Sequence, residues 1–200
     1  MPNLFKEKAR VLGISESFDL KKPFSYMVGV VMRKDLVFDA LFVENPKIGG
    51  NDVTEKILNG FYSLKRNDVS CIMIDGCILS MYNIVDLFYV NSMLKIPVIC
   101  IASKEGKDLR ESFIKNNQKE KLEAYEKLGP QKRITVEGYN YWVRFSGIDE
   151  FEAKHVIKSF IVSGRTPEPI RVSKIIARTF MKSSHGLNSE TFKRSLDDRI

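Results

Sequence analysis

The sequence predicts an α/β fold: one mixed β-sheet, three antiparallel strands followed by parallel strands, with helices on both faces. Three observations carry this reading. An apolar run and two β-branched, aromatic stretches follow one another at short spacing near the start of the chain, the signature of an antiparallel meander. Two continuous apolar runs further on have the length of buried strands and are separated by stretches of helical periodicity, the signature of parallel strands joined through helices. No run approaches the ~18 uninterrupted apolar residues that a membrane helix needs.

Taken in order, Ala9–Ile14 is the first apolar run and ends in Gly13-Ile14-Ser15-Glu16. Tyr26–Met32 and Leu36–Val43 are the next two strands, joined by the polar turn Arg33-Lys34-Asp35. After the breaker cluster Pro46–Asn51, Val53, Ile57, Phe61 and Leu64 recur at helical spacing, with Asn51 or Asp52 placed as N-cap. Val69–Ile74 is a buried-type strand that stops at Asp75-Gly76. A helix over about residues 84–94 leads past Pro97 to a second buried strand, Val98–Ala102. Lys107–Leu128 reads as one amphipathic segment ending at Gly129-Pro130. Ile134–Glu137 and Tyr141–Phe145 read as a late hairpin, Asp149 as the N-cap of a helix, and Ile170 to about Phe180 as the last helix after Pro167 and Pro169. Residues 183–200 show weak periodicity and read as a tail beyond a single domain of residues 1–182. This order is the ribonuclease H-like arrangement, in which the first and fourth strands lie side by side and acidic residues at their ends converge.

Composition narrows the class. With 200 residues, 44% hydrophobic and 28% charged, the chain matches an ordinary soluble domain that needs no metal or disulfide to fold. The N-terminal MPNLFKEKAR has no apolar core or cleavage site of a signal peptide, so a cytoplasmic protein with no membrane partner is expected. Cys71, Cys77 and Cys100 lack CxxC spacing and lie in or beside apolar stretches, which makes them small buried residues rather than a zinc site. The net charge is +7, and residues 151–200 hold ten Lys/Arg against five Asp/Glu. A basic final quarter points to a polyanionic partner, with a solvated lysine-rich surface as the alternative.

Candidate site residues follow from the strand ends. Asp75 closes an apolar run that has no other use for a charge, and Gly76 admits close approach of a substrate backbone; the alternative is a turn carboxylate. Glu16 follows the first strand and would neighbour Asp75, or else is a solvated loop acid. Asp52 and Glu55 open the first helix as N-cap and first-turn acid, and one of them could add a third oxygen ligand. Such carboxylates suit Mg²⁺ or Mn²⁺ and metal-assisted phosphodiester cleavage. Arg171, Lys174 and Arg178 share one helical face, and with Arg165 upstream they form a candidate phosphate clamp or a solvated face. Tyr82, Tyr139, Tyr141 and Trp142 are candidates for base stacking or for sheet packing. His155 and His185 show no ligand spacing, and no nucleophile elbow, Walker loop or dinucleotide fingerprint is present.

The stretches Arg10-Val11-Leu12-Gly13-Ile14, Asn51-Asp52-Val53-Thr54-Glu55-Lys56-Ile57, Ile74-Asp75-Gly76 and Pro167-Glu168-Pro169-Ile170-Arg171-Val172 resemble the archaeal endonuclease dU family, which is related to endonuclease V. The resemblance runs from about residue 8 to 182. It implies a ribonuclease H-like fold and Mg²⁺- or Mn²⁺-dependent cleavage of DNA containing deaminated bases such as deoxyuridine or deoxyinosine, a DNA-repair activity. Two positions depart from the pattern. Members of the family typically carry Gly-Ile-Asp-Asp where this chain has Gly13-Ile14-Ser15-Glu16, and the endonuclease V pattern places a His where this chain has Lys174. Losing a carboxylate and gaining an ammonium weakens divalent-metal binding. The sequence therefore supports a nuclease using Glu16, Asp75 and an acid from Asp52 or Glu55, or a binding module of the same fold with impaired chemistry, with a protein-interaction scaffold whose basic surface is incidental as the third reading.

Overall fold

A computed structural model describes residues 8–186, with side chains through 184. The meander forms as the sequence predicts. β1 (Arg10–Ser17), β2 (Tyr26–Arg33) and β3 (Phe38–Glu44) pair antiparallel. β1 runs three residues past its apolar run, because Ser15, Glu16 and Ser17 stay in register with Val28, Met27 and Tyr26. α1 (Val53–Ser63) then leads to β4 (Val69–Ile74), which lies parallel to β1. A two-residue ribbon that the sequence did not disclose follows, β5 (Ile78–Leu79) against β6 (Asn83–Ile84). α2 (Leu87–Leu94) and β7 (Val98–Ala102) complete the parallel part, with β7 beside β4.

The amphipathic stretch 107–128 is two helices rather than one, α3 (Arg110–Lys115) and α4 (Lys119–Lys127). Asn117 between them adopts a left-handed φ of 52°, and the Gln118 N–H turns back to the Phe113 carbonyl at 2.8 Å, a helix stop that apolar periodicity does not register. The late hairpin, β8 (Lys132–Val136) and β9 (Tyr139–Ser146), does not stand apart: β9 pairs antiparallel with β7 and extends the sheet. The seven strands are ordered β3-β2-β1-β4-β7-β9-β8. α5 (Glu150–Ser159) begins with a capping box of Asp149 and Glu152, and α6 (Glu168–Gly186) closes the described chain. Residues 183–186, expected in a tail, end this helix, and residues 187–200 lie outside the described residues. Among the described residues, no helix is long and apolar enough to cross a membrane.

Strand alternation sorts the sheet into two faces. Leu12, Ile14, Ile72 and Ile74 pack with Val53, Ile57 and Leu87 of α1 and α2. Val11, Cys71 and Met73 pack on the other face with Val156, Ile157 and Ile170 of α5 and α6. The three cysteines are buried and free, as their sequence context suggests. Gly13 lets α6 approach: a Cβ there would lie 2.4 Å from the Pro169 carbonyl carbon. This contact sets where every later residue of α6 falls over the sheet.

Candidate functional site

The parallel pairing of β1 with β4 brings their C-terminal ends together, and the Asp75 N–H donates to the Ile14 carbonyl at 2.9 Å. Alternation then decides which side chains meet. Ser15 shares the face of Val11 and Gly13, and Asp75 that of Cys71 and Met73, so both turn toward α6. The fully buried Ser15 donates through Oγ to Asp75 Oδ2 at 2.9 Å. From Pro169, pinned on Gly13, five residues of helix rise about 7.5 Å. Two residues of strand cover about 6.6 Å. That match sets Lys174 over the strand ends, and its Nζ lies 2.7 Å from the same Asp75 Oδ2. Among the described residues Asp75 Oδ1 has no hydrogen-bond partner. Gly76 turns the chain away at φ 90°, and a Cβ on it would meet only open space.

Glu16 points the other way. One carboxylate oxygen accepts the Ser80 backbone N–H and the other the Ser80 Oγ, while Ser25 and Ser80 share a hydrogen bond of 2.7 Å. Burial pushes the Glu16 carboxyl above its ordinary range; the bonds from Ser80 and Ser25 oppose the rise, and the Asp75 charge adds to it. Ser80, Met81 and Tyr82 are three consecutive left-handed residues, with φ of 43°, 59° and 68°. Glu16 and the Gly49 N–H, which donates to the Ser80 carbonyl at 2.7 Å, hold this turn in place. Ser25 and Ser80 carried no signal in the sequence, because their roles depend on a turn between two-residue strands.

Glu16 and Asp75 still border one cleft of ≈ 420 Å³, together with Phe18, Lys174 and Arg178. Arg178 is exposed and forms no ion pair among the described residues, so the cleft carries two ammonium or guanidinium groups from one face of α6. A cavity of ≈ 510 Å³ elsewhere is larger, but its two guanidiniums are engaged: Arg110 with Asp108 and Arg144 with the Gly129 carbonyl.

The structure does not bring the other candidates into this cleft. Asp52 stands at the N-cap position of α1 but caps nothing through its side chain; it accepts from the Lys47 N–H at 3.1 Å and from Asn83 Nδ2 at 2.7 Å. Asn83 Oδ1 instead takes the first helical N–H, that of Val53, at 3.1 Å. Glu55 is exposed in the first turn of α1 and does not line the cleft. Arg171 forms an i,i+3 ion pair with the buried Glu168, a spacing readable in the sequence. Arg165 donates to the Ser103 carbonyl at 2.5 Å and the Asn140 carbonyl at 2.9 Å, tying the entry of α6 to the hairpin. Tyr82 packs edge-on against Phe113, Tyr141 is buried with its hydroxyl on the Arg165 carbonyl, and Tyr139 and Trp142 lie on β9. His155 sits on α5, and the side chain of His185 lies outside the described residues.

This constellation does not fit a divalent ion. Octahedral Mg²⁺ binding requires carboxylate oxygens that converge and are free to coordinate. Here Asp75 already holds an ammonium and a hydroxyl on one oxygen, Glu16 faces Ser80, and Asp52 and Glu55 lie outside. Among the described residues no group of three or more His, Cys, Asp or Glu side chains is arranged to hold a metal.

A profile of the family described as Endonuclease dU matches residues 7–181. The chain belongs to the Endonuclease dU family. An UPF0215 protein of Pyrobaculum aerophilum is 36% identical over 179 residues, covering 86% of this chain and 96% of that protein. The crystal structure of an Archaeoglobus fulgidus protein of unknown function superposes with a TM-score of 0.74 at 28% identity, covering 86% of this chain and 98% of that one. Ciona intestinalis endonuclease V, solved with a 23mer DNA containing an inosine, has a TM-score of 0.59 at 13% identity, covering 88% and 87%. At that identity the likeness is one of fold, and the fold is ribonuclease H-like.

Proposed function

We propose that this Endonuclease dU family member binds nucleic acid, with Lys174 and Arg178 holding a backbone phosphate in the cleft at the ends of β1 and β4, and that no divalent cation is needed for binding. The observation that carries this reading is the Lys174 ammonium 2.7 Å from Asp75 Oδ2. It puts a fixed positive charge where a metal-dependent nuclease of this pattern would gather carboxylates. The DNA in the Ciona endonuclease V structure supports nucleic acid as the ligand class, and the family description supports DNA carrying deoxyuridine or another deaminated base. Fluorescence anisotropy with labelled DNA, with and without deoxyuridine, tests it. Binding is expected to persist in EDTA and to weaken with salt. Lys174→Ala and Arg178→Ala should each flatten the slope of log K against log salt by roughly 0.7–0.9. Binding that requires Mg²⁺, or no binding at low salt, overturns the proposal.

A second reading, Mg²⁺- or Mn²⁺-dependent cleavage in DNA repair, has one observation in its favour: Asp75 Oδ1 has no hydrogen-bond partner among the described residues. It requires nicking of deoxyuridine DNA by the wild-type chain that Asp75→Asn abolishes. The geometry favours binding without efficient turnover.

A further inference from the structure

We infer that Phe18 is a stacking surface for an unpaired base, so that the cleft takes one nucleotide of a single strand in preference to intact duplex. The inference rests on the reading that Lys174 and Arg178 hold phosphate, and adds what holds the base. β1 ends at Ser17, and Phe18 is the first residue of the connection to β2. The packed register of β1 no longer constrains it, and 42% of it is exposed. It lines the same cleft as Lys174 and Arg178, with the apolar residues Ile78 and Leu79 of β5. Two more large apolar residues of the same connection, Leu20 and Phe24, are 65% and 49% exposed. An aromatic ring beside two cations matches the two parts of a nucleotide, a π-face and an anion, and such pairs mark sites for single-stranded nucleic acid. At ≈ 420 Å³ the cleft is near the small end of the roughly 300–1,000 Å³ of small-ligand pockets, room for one nucleotide. Bases inside a duplex stack on one another and offer no free face, so the ring is useful only to an unpaired one.

The test compares a labelled single strand with the matched duplex of the same sequence. The single strand is expected to bind more tightly. Phe18→Ala and Phe18→Leu should weaken single-strand binding by roughly 5- to 150-fold and leave duplex binding nearly unchanged. Phe18→Trp in a Trp142→Phe background places the only indole at the cleft, and its fluorescence should be quenched when the single strand binds. If Phe18→Leu binds the single strand like wild type and the indole is not quenched, the stacking inference is wrong. Lys174→Ala and Arg178→Ala separate the two claims: loss in these variants alone leaves the phosphate reading standing, and no loss in any variant removes both.

Discussion

Exchanging two side chains should convert the cleft from one that holds its own cation into one that requests a cation from solution. Ser15→Asp adds a carboxylate at a fully buried position whose hydroxyl now lies 2.9 Å from Asp75 Oδ2. Lys174→His removes the ammonium that balances Asp75. The double variant then holds two carboxylates in contact range with no fixed counter-charge. Breaking a buried charge pairing of this kind costs about 3–5 kcal/mol, and since Lys174 and Asp75 are partly exposed the lower end applies. A divalent ion restores the balance. At 100 times its dissociation constant a bound ion adds about 2.7 kcal/mol. For a chain of this size each kcal/mol moves the melting temperature by about 2–4 °C, so Mn²⁺ should raise Tm of the double variant by roughly 5–10 °C.

Thermal unfolding with MnCl₂ and with EDTA measures the shift, and Mn²⁺ electron paramagnetic resonance counts the ions bound. Wild type should show no Mn²⁺-dependent shift and no tight ion. An equal shift in wild type would mean that Lys174 swings aside to admit the metal, and would refute the assignment of its ammonium as the resident cation.

Other perturbations test the supporting geometry. Gly13→Ala should destabilise by about 1–3 kcal/mol in denaturant unfolding, because the new methyl meets the backbone of Pro169 rather than a yielding side chain. Glu16 binds its proton more readily folded than unfolded, so between its ordinary value of 4.5 and its raised value the native state holds more protons, and stability falls as pH rises through that window. Glu16→Gln should remove this slope from a pH series of unfolding curves. Asn83→Ala deletes the acceptor of the Val53 N–H and two further bonds, at about 2–4 kcal/mol. Arg171→Ala should change nucleic-acid binding less than Arg178→Ala, since Arg171 is neutralised by Glu168.

Much of the sheet was legible because its strands are apolar runs bounded by polar turns: β2, β4 and β7 lie within one residue of Tyr26–Met32, Val69–Ile74 and Val98–Ala102. What escaped depends on contacts between distant residues. The hairpin's two strands were visible, but its union with β7 depends on Tyr139–Ser146 finding a partner some 40 residues earlier in the chain. The extension of β1 through Ser15–Ser17 was hidden because its polar end is satisfied from outside the strand, by Asp75, Ser80 and the ladder to β2. At the cleft, the meeting of strand ends followed from element order, and the cations of α6 from helical spacing. Which cation faces inward did not. Arg171 and Lys174 are three residues apart on one face, yet the closeness of Gly13 to Pro169 sets the helix so that Lys174 falls on Asp75 and Arg171 turns back to Glu168.

The alternation of β1 also explains why Ser15 and Lys174 act on Asp75 together. Both reach the same oxygen of Asp75 from opposite elements. A lysine opposite two carboxylates would itself be a tight ion pair that no metal displaces easily. A serine without the lysine would leave Asp75, only 28% exposed at its side chain, with a single neutral donor. Together they leave the Lys174 ammonium paired with Asp75 but with N–H bonds to spare for a phosphate, beside Arg178, which forms no ion pair among the described residues. Glu16 does not add a second acid beside Asp75, because the neighbouring position on a strand faces the other side of the sheet, where Ser80 already holds both of its oxygens. A backbone that keeps the pairing of β1 with β4 therefore keeps Glu16 on the Ser80 side, and a second acid beside Asp75 has to come from position 15 itself.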